Sequence, residues 1–212
     1  MSKVWIMFLF ILLMACQFES AEKKRKSFDL KRATPRGEVL DTMTIDIEKA
    51  IVFWKGTKMR GMGKHEGVIL FSSGELYTNG QVLKGGEFMV DMSTIEVTDI
   101  PVHEQIPRQN LIDHLKSKDF FNVDSFSTAS LFLKEVTYVT TDSILISAEL
   151  EIKGIVRSVT FFSTKKGNQL KARLTVNRFD WDINFQGNWL KNTLVDAEFE
   201  LTVILVIENP LF

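Results

Sequence analysis

Apolar and polar residues alternate along most of the chain after Thr42. In residues 198–203, Phe199, Leu201 and Val203 fall on one face and Glu198, Glu200 and Thr202 on the other. This is the two-residue repeat of a half-buried strand. Residues 147–153 repeat the pattern with Ala148, Leu150 and Ile152 on the apolar face, and residues 170–176 alternate apolar side chains with Lys171, Arg173 and Thr175. Further strands are predicted over 45–58, 67–72, 75–78, 82–92, 130–139 and 156–165. Turn signals separate them at Ser73-Gly74, Asn79-Gly80, Thr141-Asp142, Lys153-Gly154 and Gly167-Asn168. About eight strands in hairpin succession predict a mainly β domain, an antiparallel barrel or a sandwich. Strands with one clean apolar face must meet a second sheet or curl onto themselves, and the alternation favours closure.

One segment breaks the pattern. Leu111 and Leu115 are four residues apart with Ile112 beside them, so residues 110–116 read as a short amphipathic helix capped by Asn110. It lies in a long connection, about 93–127, that also holds Pro101, Pro107 and the pair Phe120-Phe121. Apolar residues in such a connection are expected to cover one mouth of a barrel.

The N-terminus has a different logic. The apolar run from Val4 to Ala15 is shorter than the roughly 20 residues a membrane-spanning helix needs. With Lys3 before it and a small residue at its end, it reads as a secretory signal. The tetrad Leu13-Met14-Ala15-Cys16 resembles the bacterial lipobox, in which cleavage precedes a diacylated cysteine. Cys16 is the only cysteine in the chain and has no disulfide partner within it, so it is read as a lipid anchor, stable because more than one acyl chain is attached. Residues 1–15 are expected to be a signal peptide, 16–41 a lipidated charged tether, and 42–212 the folded domain. Lys23-Lys24-Arg25-Lys26 in the tether is a solvated charge run able to touch anionic head groups. A bacterial envelope location follows, with Gln17 compatible with the periplasmic face of the outer membrane. The formal charge of −1 gives no basic field for nucleic acid.

Five stretches in order resemble the YceI-like family of exported lipid-binding proteins. They are Trp54-Lys55-Gly56-Thr57-Lys58 with His65-Glu66-Gly67; Gly86-Glu87-Phe88-Met89-Val90-Asp91-Met92; residues 113–123 with the double phenylalanine; Ile152-Lys153-Gly154-Ile155-Val156-Arg157; and Val176-Asn177-Arg178-Phe179-Asp180. The chain departs from that pattern at residues 125–128, where tyrosine-proline is usual, and at Trp181, where glycine is common. The resemblance implies an extended, lipocalin-like eight-stranded antiparallel barrel with a short helix in a long loop. It also implies an apolar lumen holding a long isoprenoid chain, such as an isoprenoid quinone or its precursor, bound without catalysis. Phe88, Val90, Phe132, Ile146, Ala148, Leu150, Leu174, Val176, Phe199, Leu201 and Val203 stand on the more apolar faces of their strands and are the lumen candidates; as a set they serve equally as packed core. The alternative is a solid-cored structural or stress-related surface lipoprotein that binds another protein.

Other chemistry is sparse. His65, His103 and His114 have no metal-ligand spacing, so no metal or cofactor is expected, and no nucleophile elbow, carboxylate pair or nucleotide loop points to an enzyme. His65 is placed near the barrel rim. Arg178 and Asp180, two apart in a strand-like run, are expected on one face, paired or contacting a ligand head group, with Trp181 beside them. Trp54, Trp181 and Trp189 suit barrel mouths, where a ring N–H finds a partner. The last strand, apolar on both faces from Val203 to Ile207, offers a homodimer contact.

Overall fold

The computed structural model describes residues 40–184 and 195–208. The signal, Cys16, residues 17–39 of the tether and Trp189 lie outside the described residues, and Asp41, expected as the tether's last residue, begins the first strand. Nine strands follow in chain order: β1 (Asp41–Thr44), β2 (Ile51–Lys58), β3 (Gly63–Asn79), β4 (Val82–Val97), β5 (Thr128–Tyr138), β6 (Ser143–Ile152), β7 (Ile155–Lys166), β8 (Gln169–Asn177) and β9 (Val195–Val206), with helix α1 (Gln105–Lys116) between β4 and β5. The sheet runs β3-β2-β9-β8-β7-β6-β5-β4 and closes when β4 pairs back onto β3. All ladders are antiparallel. Eight strands therefore form a closed ring, and β1 continues the β2 side of the long β3 by pairing Asp41–Thr44 with residues 75–78. Closure pairs every strand of the ring on both sides, the shortest ladder being that of β7 with β8, which joins 162–166 to 169–173.

Registers define two ends. At one, Lys58 meets Gly63, Gly67 meets Val97, Ile152 meets Ile155 and Asn177 meets Glu198; here lies the β4–β5 connection with α1. At the other are the tight turns 79–82, 139–142 and 167–168, toward which Ile45, Ile144 and Ile207 are buried, Ile45 and Ile207 bridging to each other.

Three local expectations change. Residues 67–78 are one strand, with the ladder to β4 shifting register between Phe71 and Ser73, so Ser73-Gly74 marks a bulge and not a turn. Gly74 is buried, and a Cβ there would stand 2.5 Å from the Ile45 side chain. Its missing side chain serves close approach. Residues 45–58 are not continuous, because 47–49 turn where Asp46 accepts the backbone N–H groups of Glu48 and Lys49. Helix α1 begins at Gln105, not Asn110, with Glu104 at its N-cap and no side-chain cap bond. Pro107 is accommodated because the first-turn N–H groups have no partner within the helix.

Gly67 shows how tightly β3 and β4 approach. A Cβ there would lie 1.7 Å from the Glu96 carbonyl oxygen and 2.7 Å from the Trp54 ring, while Trp54 Nε1 donates to that same carbonyl at 3.2 Å. Gly67→Ala is expected to destabilise the barrel by about 1–3 kcal/mol, the usual cost of overpacking. Gly56→Ala, in the neighbouring strand with nothing within 4 Å, should be neutral or slightly stabilising. Chemical denaturation of the two variants side by side checks this; equal midpoints would refute it.

Candidate ligand-binding lumen

Inward side chains from every strand of the ring enclose a cavity of about 230 Å³, walled almost wholly by carbon. β2 contributes Val52 and Trp54, β4 contributes Phe88, Val90 and Met92, and β9 contributes Phe199, Leu201, Val203 and Leu205. On the opposite wall stand Ile146 and Leu150 of β6, Phe161 of β7, and Ala172 and Leu174 of β8. Small side chains at Ala129 and Ala172, where larger ones would meet across the axis, help keep the centre empty.

Of the expected lumen residues, Phe88, Val90, Ile146, Leu150, Leu174, Phe199, Leu201 and Val203 line this cavity. Ala148 and Val176 share the inward faces of their strands and are buried, but they fill wall and do not border the space. Phe132 is on the other side of the sheet. The phase of β5 turns Ala129, Leu131 and Leu133 inward, and Phe132 lies outside between Glu87 and Glu149 with Lys134 Nζ 5.4 Å from its ring. In Leu131-Phe132-Leu133 every position is apolar, so alternation could not choose the face there. Leu131 and Leu133 are the residues that reading missed; the phase was recoverable from Ser130 and Lys134.

The connection between β4 and β5 forms the lid. Leu111, His114 and Leu115 of α1, followed by Phe120 and Phe121, border the cavity from above. His114 packs edge-on against Phe120, which packs edge-on against Phe121. Arg108 holds the helix down, donating through Nε to the Val97 carbonyl at 2.9 Å and through Nη2 to Glu96 at 2.7 Å.

Charged side chains and imidazoles border the cavity at this end, and among its lining residues Lys58 and Glu198 are exposed, which makes this the mouth; toward the other end the Ser163 hydroxyl borders it and donates to the Lys171 carbonyl. His65 lines it, with Nδ1 2.9 Å from Asp99 Oδ2. Asp99 Oδ1 also accepts the backbone N–H of Glu66 at 3.1 Å, so the carboxylate is fixed and in turn fixes the imidazole. A neutral His65 that donates from Nδ1 to this carboxylate carries its free lone pair on Nε2. Asp99, in a loop thirty-four residues away in sequence, gave no signal of this partnership.

Asp196, on β9 beyond the neighbouring β2, organises the next part of the lip. It accepts the Thr57 hydroxyl at 2.5 Å and the backbone N–H groups of Arg60 and Gly61 at 3.0 Å each. The Thr57 bond above all, helped by the two N–H groups, holds its carboxyl below the ordinary aspartate range despite the opposing effect of desolvation.

Arg178, Asp180 and Trp181 do not share a strand face. They form a 3-10 helix, Arg178–Trp181, in which a spacing of two separates side chains, leaving Arg178 buried and Asp180 exposed. Arg178 borders the cavity with its guanidinium donating to the carbonyls of Ile183, Asp196 and Val195 and stacked 4.1 Å from the Phe179 ring centroid. Burial lowers its pKa from the ordinary value. It acts as a stitch between the end of β8 and the start of β9. Trp181 is not at the rim; it is buried and donates Nε1–H to the Leu150 carbonyl at 3.3 Å. Among the described residues no three His, Cys, Asp or Glu side chains gather as a metal site.

Three solved structures share this architecture. BcnA of Burkholderia cenocepacia superposes with a TM-score of 0.62 at 19% identity, covering 76% of this chain and 98% of the other. A polyisoprenoid binding domain from Saccharophagus degradans, implicated in plant cell wall breakdown, gives 0.52 at 11% identity over 81% of this chain and 100% of its own. A mutant Campylobacter jejuni YCEI protein gives 0.50 at 14% identity, covering 84% and 95%. A comparison with curated protein sequences finds no match. The YceI-like domain pattern matches residues 43–207, a span that includes the whole closed ring and its lid, and the chain belongs to the YceI-like domain family.

Proposed function

We propose that this protein is a non-catalytic carrier of one long apolar isoprenoid lipid, of the polyprenyl or isoprenoid quinone type, held in the barrel lumen. The observation that carries this reading is a carbon-walled cavity whose charged side chains and histidines gather at one end, where Lys58 and Glu198 are exposed. A ligand with a featureless tail and a polar head matches that gradient, tail first. Burying about 300 Å² of tail contributes roughly 7 kcal/mol before the costs of association are subtracted. The Saccharophagus degradans domain of the same fold is described as polyisoprenoid binding, which supports the same ligand class here. A solid-cored barrel serving only protein contacts would need a filled lumen, and the cavity favours the carrier.

The head group is assigned to the mouth beside His65. With Nδ1 turned to Asp99, Nε2 suits a ligand hydroxyl donor. Cys16, acylated, would hold the carrier in the envelope.

Lipid extraction of gently purified protein followed by mass analysis should return one isoprenoid per barrel; protein that emerges lipid-free, and takes up no isoprenoid quinone when offered it, would overturn the proposal. Ala172→Phe should fold with a stability loss below about 1 kcal/mol yet retain little lipid, whereas a solid core would lose about 1–3 kcal/mol. His65→Phe should keep the tail contacts and weaken retention by about 0.5–1.5 kcal/mol, the net value of one neutral hydrogen bond; a His65→Phe protein that binds a hydroxyl-bearing isoprenoid as tightly as the parent would remove His65 from the site. Cys16→Ser should abolish both the acyl mass on residue 16 and the cleavage before it that depends on acylation, read by intact mass of the two proteins; identical processing in the variant would remove Cys16 as the anchor.

A further inference from the structure

A carrier of a membrane lipid must pass its cargo through the mouth, and the mouth has side chains unsuited to open water. The three most exposed large apolar residues among those described, Met62 at 78%, Ile106 at 76% and Val102 at 74%, all stand at this end of the barrel. Met62 belongs to the β2–β3 turn, which also exposes Met59; Val102 belongs to the segment leading into α1 and Ile106 to its first turn. Phe179, in the 3-10 helix after β8, adds a third exposed apolar group at the same end.

The β2–β3 turn is built to present its methionines. Met59 and Arg60 have φ values of 54° and 58°, a left-handed conformation that non-glycine residues rarely adopt. Asp196 holds them there through its bonds to Thr57, Arg60 and Gly61. The run Lys58-Met59-Arg60-Gly61-Met62-Gly63-Lys64 places exposed Lys58 and Arg60 beside two methionines, while Lys64 pairs with Glu66 at 2.8 Å and Asp196 accepts from the turn backbone. Methionine is unbranched and adaptable, suited to a partner without fixed shape.

We propose that this rim docks on the surface of a bilayer containing anionic lipids, Met62, Val102 and Ile106 entering the acyl boundary and Lys58 and Arg60 meeting the head groups. The inference rests on the carrier reading above. Two features favour a bilayer over a protein. The apolar groups stand on separate segments, the β2–β3 turn, the start of α1 and the 3-10 helix, and they share the end of the barrel at which Leu111, Phe120 and Phe121 border the cavity. Exposed apolar side chains flanked by cations are the general signature of interfacial insertion.

The test uses the full chain carrying Cys16→Ser, so that each introduced cysteine is the sole thiol, reconstituted with vesicles of phosphatidylcholine and phosphatidylglycerol. Nitroxide labels at Met62→Cys, Val102→Cys, Ile106→Cys and, on the outer wall, Phe162→Cys are read for depth by their relaxation with oxygen and with a water-soluble nickel chelate. The proposal expects the first three labels at acyl depth and the label at 162 in water. Adding Met62→Asp and Ile106→Asp should return the label at 102 to water, and omitting phosphatidylglycerol should lower the immersed fraction at least threefold. Labels at 62, 102 and 106 all in water, or a label at 162 equally deep, would overturn it. Bound isoprenoid measured by mass in the same samples separates the two ideas: lipid present with a dry rim sinks the docking alone, and an immersed rim without lipid sinks the carrier reading alone.

Discussion

Pairing of β4 back onto β3 is the contact on which the rest depends. Once the ring is closed, every strand must turn alternate side chains toward one axis, and eight strands leave an interior just wide enough to be filled or to hold a slender guest. Closure here needs the two ribbons to approach so closely at Gly67 that the Glu96 carbonyl occupies the space of a Cβ. The register shifts along the same ladder, between Val68 and Leu70, Phe71 and Ser73, and Tyr77 and Thr78, bend the long β3 around the axis. Hydrogen-bonded closure and hollow interior are thus one constraint seen from two sides.

The polar chemistry is gathered at the end where the chain leaves the ladder. Asp99 follows the end of β4 and reaches His65 at the start of β3; Asp196 begins β9 and grips the β2–β3 turn; Arg178 ends β8 and ties back to the start of β9. Each group satisfies backbone or side-chain partners that strand pairing no longer serves. The mouth is therefore ordered by its own hydrogen bonds while the walls are ordered by ladders and apolar packing.

How far the sequence carried depended on contrast between neighbouring positions. Where apolar and charged residues alternate strictly, as in Leu170-Lys171-Ala172-Arg173-Leu174, strand and face were both legible and Ala172 and Leu174 border the cavity. Where three apolar residues adjoin, as at Leu131-Phe132-Leu133, the strand was legible but its phase was not. Ser73-Gly74 carries a turn's composition yet sits in a bulge, because the same glycine that allows a turn also allows the Ile45 side chain close to the backbone. The relation of Arg178 to Asp180 failed because the strand ends one residue earlier and the period changes. The His65–Asp99 contact joins segments brought together only by the closed ring, so no local pattern encoded it.

Among the described residues the charged groups and histidines that border the lumen stand at one end, while Ile45, Ile144 and Ile207 are buried toward the other. A guest that entered tail first by that mouth would leave by withdrawing its whole tail. Each methylene drawn from the carbon walls into water costs about 0.8 kcal/mol. Dwell time should therefore lengthen steeply with the number of isoprene units when the exit leads to water, and hardly at all when it opens directly onto another greasy phase.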